Sequence, residues 1–300
     1  MTRRLFLSTT AAAAGLPAVG ATQNIRWGLG IVTWVVKANR EKQKLDWPEI
    51  LSDISAGGFE GLEPFTQNTL PVTDENMARL ESQLPQHKLR VASIYWADQF
   101  HLAEQHDRIR KECHRFLGYL KRFGSDRLTI GPPGPNVEDE AKAISNMARI
   151  MNEVGKIALE QYGIKTGVHN HVGGLIENPR QIDQLMEETD PRYFGLSADT
   201  AQIWMGGGHP VRMFEKYKNR IPYMHYKDLR AYNRSLRGYN DNVIELGRGM
   251  IDFPALHRIL KSVNYKGWIT IDLDNARISP LESAKVQREY IDRVLAPIYA

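Results

Sequence analysis

Residues 165–171, KTGVHNH, and residues 194–199, FGLSAD, are short apolar runs of strand length, separated by a longer amphipathic stretch, VGGLIENPRQIDQLMEETDPRY (172–193). A strand, a helix-length segment and a second strand in that order make one parallel βαβ unit. The same alternation continues in both directions. Further candidate strands are IRWGLGIV (25–32), GLEPF (61–65), LRVASIYW (89–96), RLTIGP (127–132), PYMHYKD (222–228) and GWITIDLD (267–274). Between them lie helical patterns such as WPEILSDISAGG, DENMARLESQL, DEAKAISNMARIMNEVGKIALEQYG and DFPALHRILKSV, with Asp74 and Asp252 as start signals. Eight such units within about 270 residues predict an α/β fold, a single-domain (β/α)8 barrel over residues 22–300. A doubly wound sheet is the competing architecture. Its glycine-rich first turn is absent, because GLGIVTW (28–34) contains no GxGxxG.

In such a barrel, chemistry sits at the C-terminal ends of the strands. Those ends are rich in ionisable residues here: Glu63, His169-Asn170-His171, Asp199, His225-Tyr226-Lys227-Asp228 and Asp272-Leu273-Asp274. Alternate residues on a strand share a face, so His169 pairs with His171, His225 with Lys227, and Asp272 with Asp274. Periodicity does not fix which face points inward. Trp34, Trp96 and Trp204 follow strands 1, 3 and 6, and are candidate aromatic walls for a sugar ring; His209, in the loop GGGHPV (206–211), reads as a surface residue.

Composition narrows the function classes. Of 300 residues, 42% are hydrophobic and 25% charged, with a net charge of +4, which fits an ordinary globular chain. The charges are interspersed, without the basic runs or aromatic-basic repeats expected of a nucleic-acid binder. A single cysteine, Cys113, excludes an internal disulfide and falls in a helical pattern as a packed thiol. Residues 1–21 pair Arg3 and Arg4 with an apolar, alanine-rich stretch ending near Val19-Gly20-Ala21. This is the form of a twin-arginine export signal. It predicts a periplasmic or otherwise exported protein, with the twin-arginine machinery as a partner and no stable membrane span.

The motifs FGLSADTAQIWMGGGHPV, IPYMHYKDLR, IELGRGMIDF and YKGWITIDLD, in this order, resemble the sugar phosphate isomerase/epimerase superfamily of xylose isomerase-like barrels. Within it, VHNHVGGLIENPRQIDQLMEETDPRYFGLSADT is similar to the inosose dehydratase branch. The resemblance implies one divalent ion at the barrel mouth, held from strands 5, 6, 7 and 8. Six residues on from Gly163, His169 takes the position of the family's strand-5 glutamate. Asp199 and His225 match the strand-6 aspartate and strand-7 histidine, and Asp272 the strand-8 glutamate. The family's strand-6 Asp-Thr-Gly-His is here Asp199-Thr200-Ala201-Gln202, so Gln202 stands where the family has a histidine. A His/Asp/His/Asp set is softer than an all-oxygen one and favours Mn²⁺ or Co²⁺, with Fe²⁺, Zn²⁺ and Mg²⁺ as further candidates.

The reaction implied is removal of a proton beside a carbonyl, leading to β-elimination from a keto-sugar or keto-cyclitol. His171, His169, Asp272 and Lys227 are the candidate catalytic groups. Glu63, Trp34, Trp96, Gln202, Arg230 and Asp274 are candidates for substrate binding. A ketose epimerase or isomerase using the same ion, and a sugar-binding barrel without catalysis, are the alternatives.

Overall fold

The computed structural model describes residues 24–65, 73–230 and 241–299; the predicted export segment, 1–21, lies outside them. The strands are β1 (Ile25–Gly30), β2 (Gly61–Glu63), β3 (Arg90–Val91), β4 (Tyr95–Ala97), β5 (Arg127–Gly131) and β6 (Lys165–Val168). They continue with β7 (Phe194–Leu196), β8 (Ala198–Asp199), β9 (Met224–Tyr226), β10 (Asp228–Leu229), β11 (Val243–Ile244) and β12 (Gly267–Ile271). One sheet runs β3-β2-β1-β12-β9-β8 and another β4-β5-β6-β7. β3 and β4 are two halves of one stave, as are β7 and β8, so the two sheets form a ring of eight parallel staves. All eight predicted strands find their place, and the fold is a (β/α)8 barrel.

The helices form because their apolar residues recur on one face. Glu140–Ile157 buries Ile144, Met147, Ile150, Met151 and Val154, each contributing about 1.5–3 kcal/mol. Asp139 starts this helix by accepting from the Lys142 amide, and Asp252 does the same for Ala255 ahead of Phe253–Ser262. One start signal moves by a residue: Thr73, not Asp74, caps Asp74–Gln83, through its side-chain oxygen and the Asn76 amide. Cys113 is buried in His106–Arg122, and burial pushes its thiol up to about 12, so it is an inert packing residue. No helix among the described residues is long and apolar enough to cross a membrane.

Beyond β9 the chain leaves the barrel in a small antiparallel ribbon, β10 against β11. Its hub is the buried carboxylate of Asp228. Oδ1 accepts from the amides of Leu229 (2.8 Å) and Ile251 (3.1 Å), and Oδ2 from those of Gly247 (3.0 Å) and Gly249 (2.9 Å). Removing this acceptor strands several amides at once, each costing about 1–3 kcal/mol if it stays buried. Asp228→Ala is therefore expected to lower stability by at least about 2 kcal/mol. Hydrogen exchange should quicken at Gly247, Gly249 and Ile251; unchanged protection there would remove Asp228 from this role.

Candidate metal centre

Each predicted ligand sits at a stave end, and local structure explains why. Asp199 closes β8 and is also the N-cap of helix Thr200–Met205: Oδ1 accepts from the Gln202 amide at 2.8 Å, leaving Oδ2 for the barrel mouth. Asn170, between the two histidines of the quoted stretch, accepts from the Asp199 amide at 3.0 Å and so ties the fifth stave to the sixth. The backbone N–H and C=O of Lys227 both bond Thr200 Oγ1, at 2.9 and 2.7 Å, fixing the seventh stave to the same helix. Asp272 has room because Gly30 faces it: a Cβ there would lie 2.8 Å from Asp272 Oδ1.

These placements gather His169, Asp199 and His225, all buried, so that one ligand atom from each falls within 4.8 Å of the others. His169 Nε2 is 3.9 Å from Asp199 Oδ2, and the two imidazole centroids are 4.7 Å apart. His225 Nε2 meets Glu63 Oε2 at 2.5 Å, which turns Nδ1 toward Asp272 Oδ2, 3.7 Å away. His225 Nδ1, Asp199 Oδ2 and Asp272 Oδ1 are buried without a hydrogen bond, as is His169 Nδ1. Buried polar atoms are rarely left so. A divalent cation fits this donor set, with Glu63 fixing the ring of His225 from behind.

The charges agree with that reading. Burial, reinforced by His225, His171 and Lys227, holds His169 well below the usual histidine value, in the neutral form a ligand requires. Burial also pulls on His225, but Glu63, Asp272 and Asp199 outweigh it and lift His225 to about 9; this anionic surrounding favours a cation here, and the ring must give up a proton when it binds one. Asp199 is raised by burial to about 6 despite Lys227. Burial pushes Asp272 up as well, yet Lys227 and His225 overcome it and keep its carboxyl below the ordinary range.

Several sequence-based expectations are corrected. Asp272 is not among them: it adjoins the three-residue group, with Oδ2 on Lys227 at 2.8 Å and Oδ1 left without a hydrogen bond, so it stays a candidate ligand. Lys227 contacts Asp274, Asp272 and Asp199, so its ammonium lies within a carboxylate cluster. Glu63 is committed to His225 instead of facing substrate. Trp34 is a core residue whose indole donates to Asp53 at 3.1 Å. Trp96 is also core, packed on Phe100 and Phe116 toward the helical layer. Neither is a sugar wall. Arg230 is exposed beyond β10 and makes no ion pair with the cluster among the described residues, whereas His209 is exposed, as the sequence reading expects.

His171 and Gln202 lie beside the His169–Asp199–His225 group. His171 is half-buried, its ring 5.7 Å from that of His169, and its Nδ1 donates to the Val172 carbonyl at 2.7 Å. Gln202 accepts from the Val172 amide at 3.0 Å, and its buried amide nitrogen has no hydrogen-bond partner. One residue escaped the sequence reading. Tyr95, half-buried, sets its ring edge against His169 at 5.2 Å and lies roughly parallel to His225 at 6.5 Å. Gly131 permits this, since a methyl there would run into the Tyr95 ring.

A parallel barrel with a buried histidine–aspartate group at the C-terminal mouth defines the class. The xylose isomerase-like TIM barrel family matches residues 51–294, and the chain belongs to it. Among its relatives is the inosose dehydratase of Halalkalibacterium halodurans, 27% identical over 92% of this chain and 96% of that protein. Similar folds include the IolI protein with a bound zinc atom (TM-score 0.72, 14% identity, 92% of this chain and 99% of that one). A sugar phosphate isomerase/epimerase from Parabacteroides distasonis is also similar (TM-score 0.70, 20% identity, 95% of this chain and 100% of that one).

Proposed function

We propose that this chain is a divalent-metal-dependent lyase that enolises a keto-sugar or keto-cyclitol and expels a β-oxygen leaving group. The observation that carries the proposal is the buried His169–Asp199–His225 group with the half-buried His171 beside it. Relatives named inosose dehydratase, aligned along nine-tenths of the chain, support elimination over epimerisation.

An ion held by His169, Asp199 and His225 would supply Lewis acidity to the substrate's carbonyl. The protein's part is proton movement and charge. The Nδ1–H of His171 is engaged by Val172, so Nε2 is the acceptor edge of the ring. It takes the proton on carbon beside the carbonyl. The released electron pair passes onto the carbonyl oxygen, and its return leaves the carbon–carbon double bond as the β carbon–oxygen bond breaks. The imidazolium returns its proton to the departing oxygen, so water or an alcohol leaves. Lys227, steadied by Asp274 at 2.6 Å, offsets charge on the enolate oxygen. Gln202 Nε2 donates to a substrate hydroxyl, and Tyr95 lies along an apolar ring face.

The twin-arginine form of residues 1–21 bears on the substrate. An exported enzyme meets keto-sugars made outside the cytoplasm, so a keto-glycoside, with an alcohol as leaving group, suits it better than inosose. Metal-loaded and chelator-stripped protein should be incubated with a 3-keto-glycoside, inosose and free ketohexoses, following enone absorbance and the released group. Metal-dependent elimination from the keto-glycoside is expected. Turnover of inosose alone overturns the exported-substrate reading, and epimerisation of ketohexoses without elimination overturns the lyase. Cell fractionation with and without an Arg3→Lys/Arg4→Lys change tests export.

A further inference from the structure

Among the described residues, the buried carboxylates Glu63, Asp199, Asp272 and Asp274 gather at the mouth of the barrel, and they are unequally matched. Glu63 has His225. Asp199, Asp272 and Asp274 share one ammonium, Lys227 Nζ, at 3.3, 2.8 and 2.6 Å. The Lys227 side chain is 1% exposed, and the three carboxylates no more than 6%. Buried carboxylates without a cation are costly, so this lysine lets the mouth fold with no metal present. Two of its three partners, Asp199 and Asp272, are also the carboxylates proposed to hold the ion.

We propose that Lys227 is a resident counter-ion that competes with the divalent ion for Asp199 and Asp272 and thereby sets its affinity. The idea rests on the metal reading above. Lys227 cannot leave easily, because Thr200 clamps its backbone on one side and the four-amide hub of Asp228 anchors the next residue. The exchange therefore occurs at the carboxylates. As the ion takes Asp199 and Asp272, Asp274, which lies outside the ligand set, retains the ammonium. Asp274 is thus the place where the displaced charge goes.

The test compares two variants by calorimetric titration with Mn²⁺ at fixed pH and by thermal melting with and without the ion. Lys227→Met keeps length but removes charge. It should tighten Mn²⁺ binding at least about tenfold, because like-charge repulsion is lost. It should also lower the melting temperature of the metal-free protein more than that of the loaded one. Asp274→Asn removes the ammonium's alternative partner and should weaken Mn²⁺ binding severalfold. A purely structural ion network predicts weaker binding in both, so Lys227→Met binding no tighter than the parent overturns the inference. If Lys227→Met does not fold, Lys227→Gln takes its place under the same criterion. Absence of Mn²⁺ binding by the parent protein would overturn the metal reading and this one together. Binding by the parent with unchanged affinity in the lysine variant would overturn this one alone.

Discussion

Replacing His225 with alanine is expected to abolish binding of the proposed divalent ion and to remove much of the protein's stability together. His225 Nδ1 is buried without a hydrogen bond and sits in the His169–Asp199 group, so its loss removes a ligand. Affinity should fall by more than the roughly 10–100-fold that loss of an outer partner costs. The same change leaves Glu63, fully buried, without the imidazole it meets at 2.5 Å. Stranding one member of such a pair destabilises by about 3–5 kcal/mol. Glu63→Gln separates the two effects: its shape is kept, the ring is held less firmly, and affinity should drop only about 10–100-fold. Titration with Mn²⁺ and denaturant unfolding of both variants check this. Wild-type affinity in His225→Ala would remove His225 from the ligand set.

The second large effect concerns the two histidines of GVHNHV. His171→Ala should lower kcat by about 10²–10⁴, the usual worth of a positioned general base, while one ion per chain is still bound. His169→Ala should instead abolish ion binding. The reverse pattern would exchange their roles. Burial first, then Lys227, pull His171 below the ordinary histidine value of 6.5, against the opposing field of Asp274. A base must be unprotonated to act, and a lowered pKa keeps it so in more acidic solution. The acid limb of kcat/KM should accordingly lie below pH 6.5 and vanish in His171→Ala.

The barrel was legible because each stave and helix carries its own pattern, with short apolar runs such as RLTIG and helical spacing such as that of Glu140–Ile157. Asp199, His225 and the two strand-5 histidines were legible because ligand-type residues at strand ends stand out against apolar neighbours. What a strand pattern cannot show is which face looks inward when both are apolar. That is why Trp96 attracted notice while its neighbour Tyr95 did not: adjacent residues point oppositely, and it is Tyr95 that reaches His169. Trp34 misled for a related reason, since its partner Asp53 lies nineteen positions along the chain. The bond between Glu63 and His225 spans 162 positions, and nothing local to either residue announces it.

Asp199 spends one oxygen on starting a helix and turns the other toward the cluster. This dual use changes how an aspartate at this place should be weighed in other barrels of the same build. A barrel without the proposed chemistry would still have reason to keep it, because the helix needs its first turn secured. No such architectural demand applies to a glutamate and a histidine meeting across the barrel from the second and seventh staves. When a related chain retains Asp199 but lacks the Glu63–His225 pair, its ancestry is evident and its activity is in question.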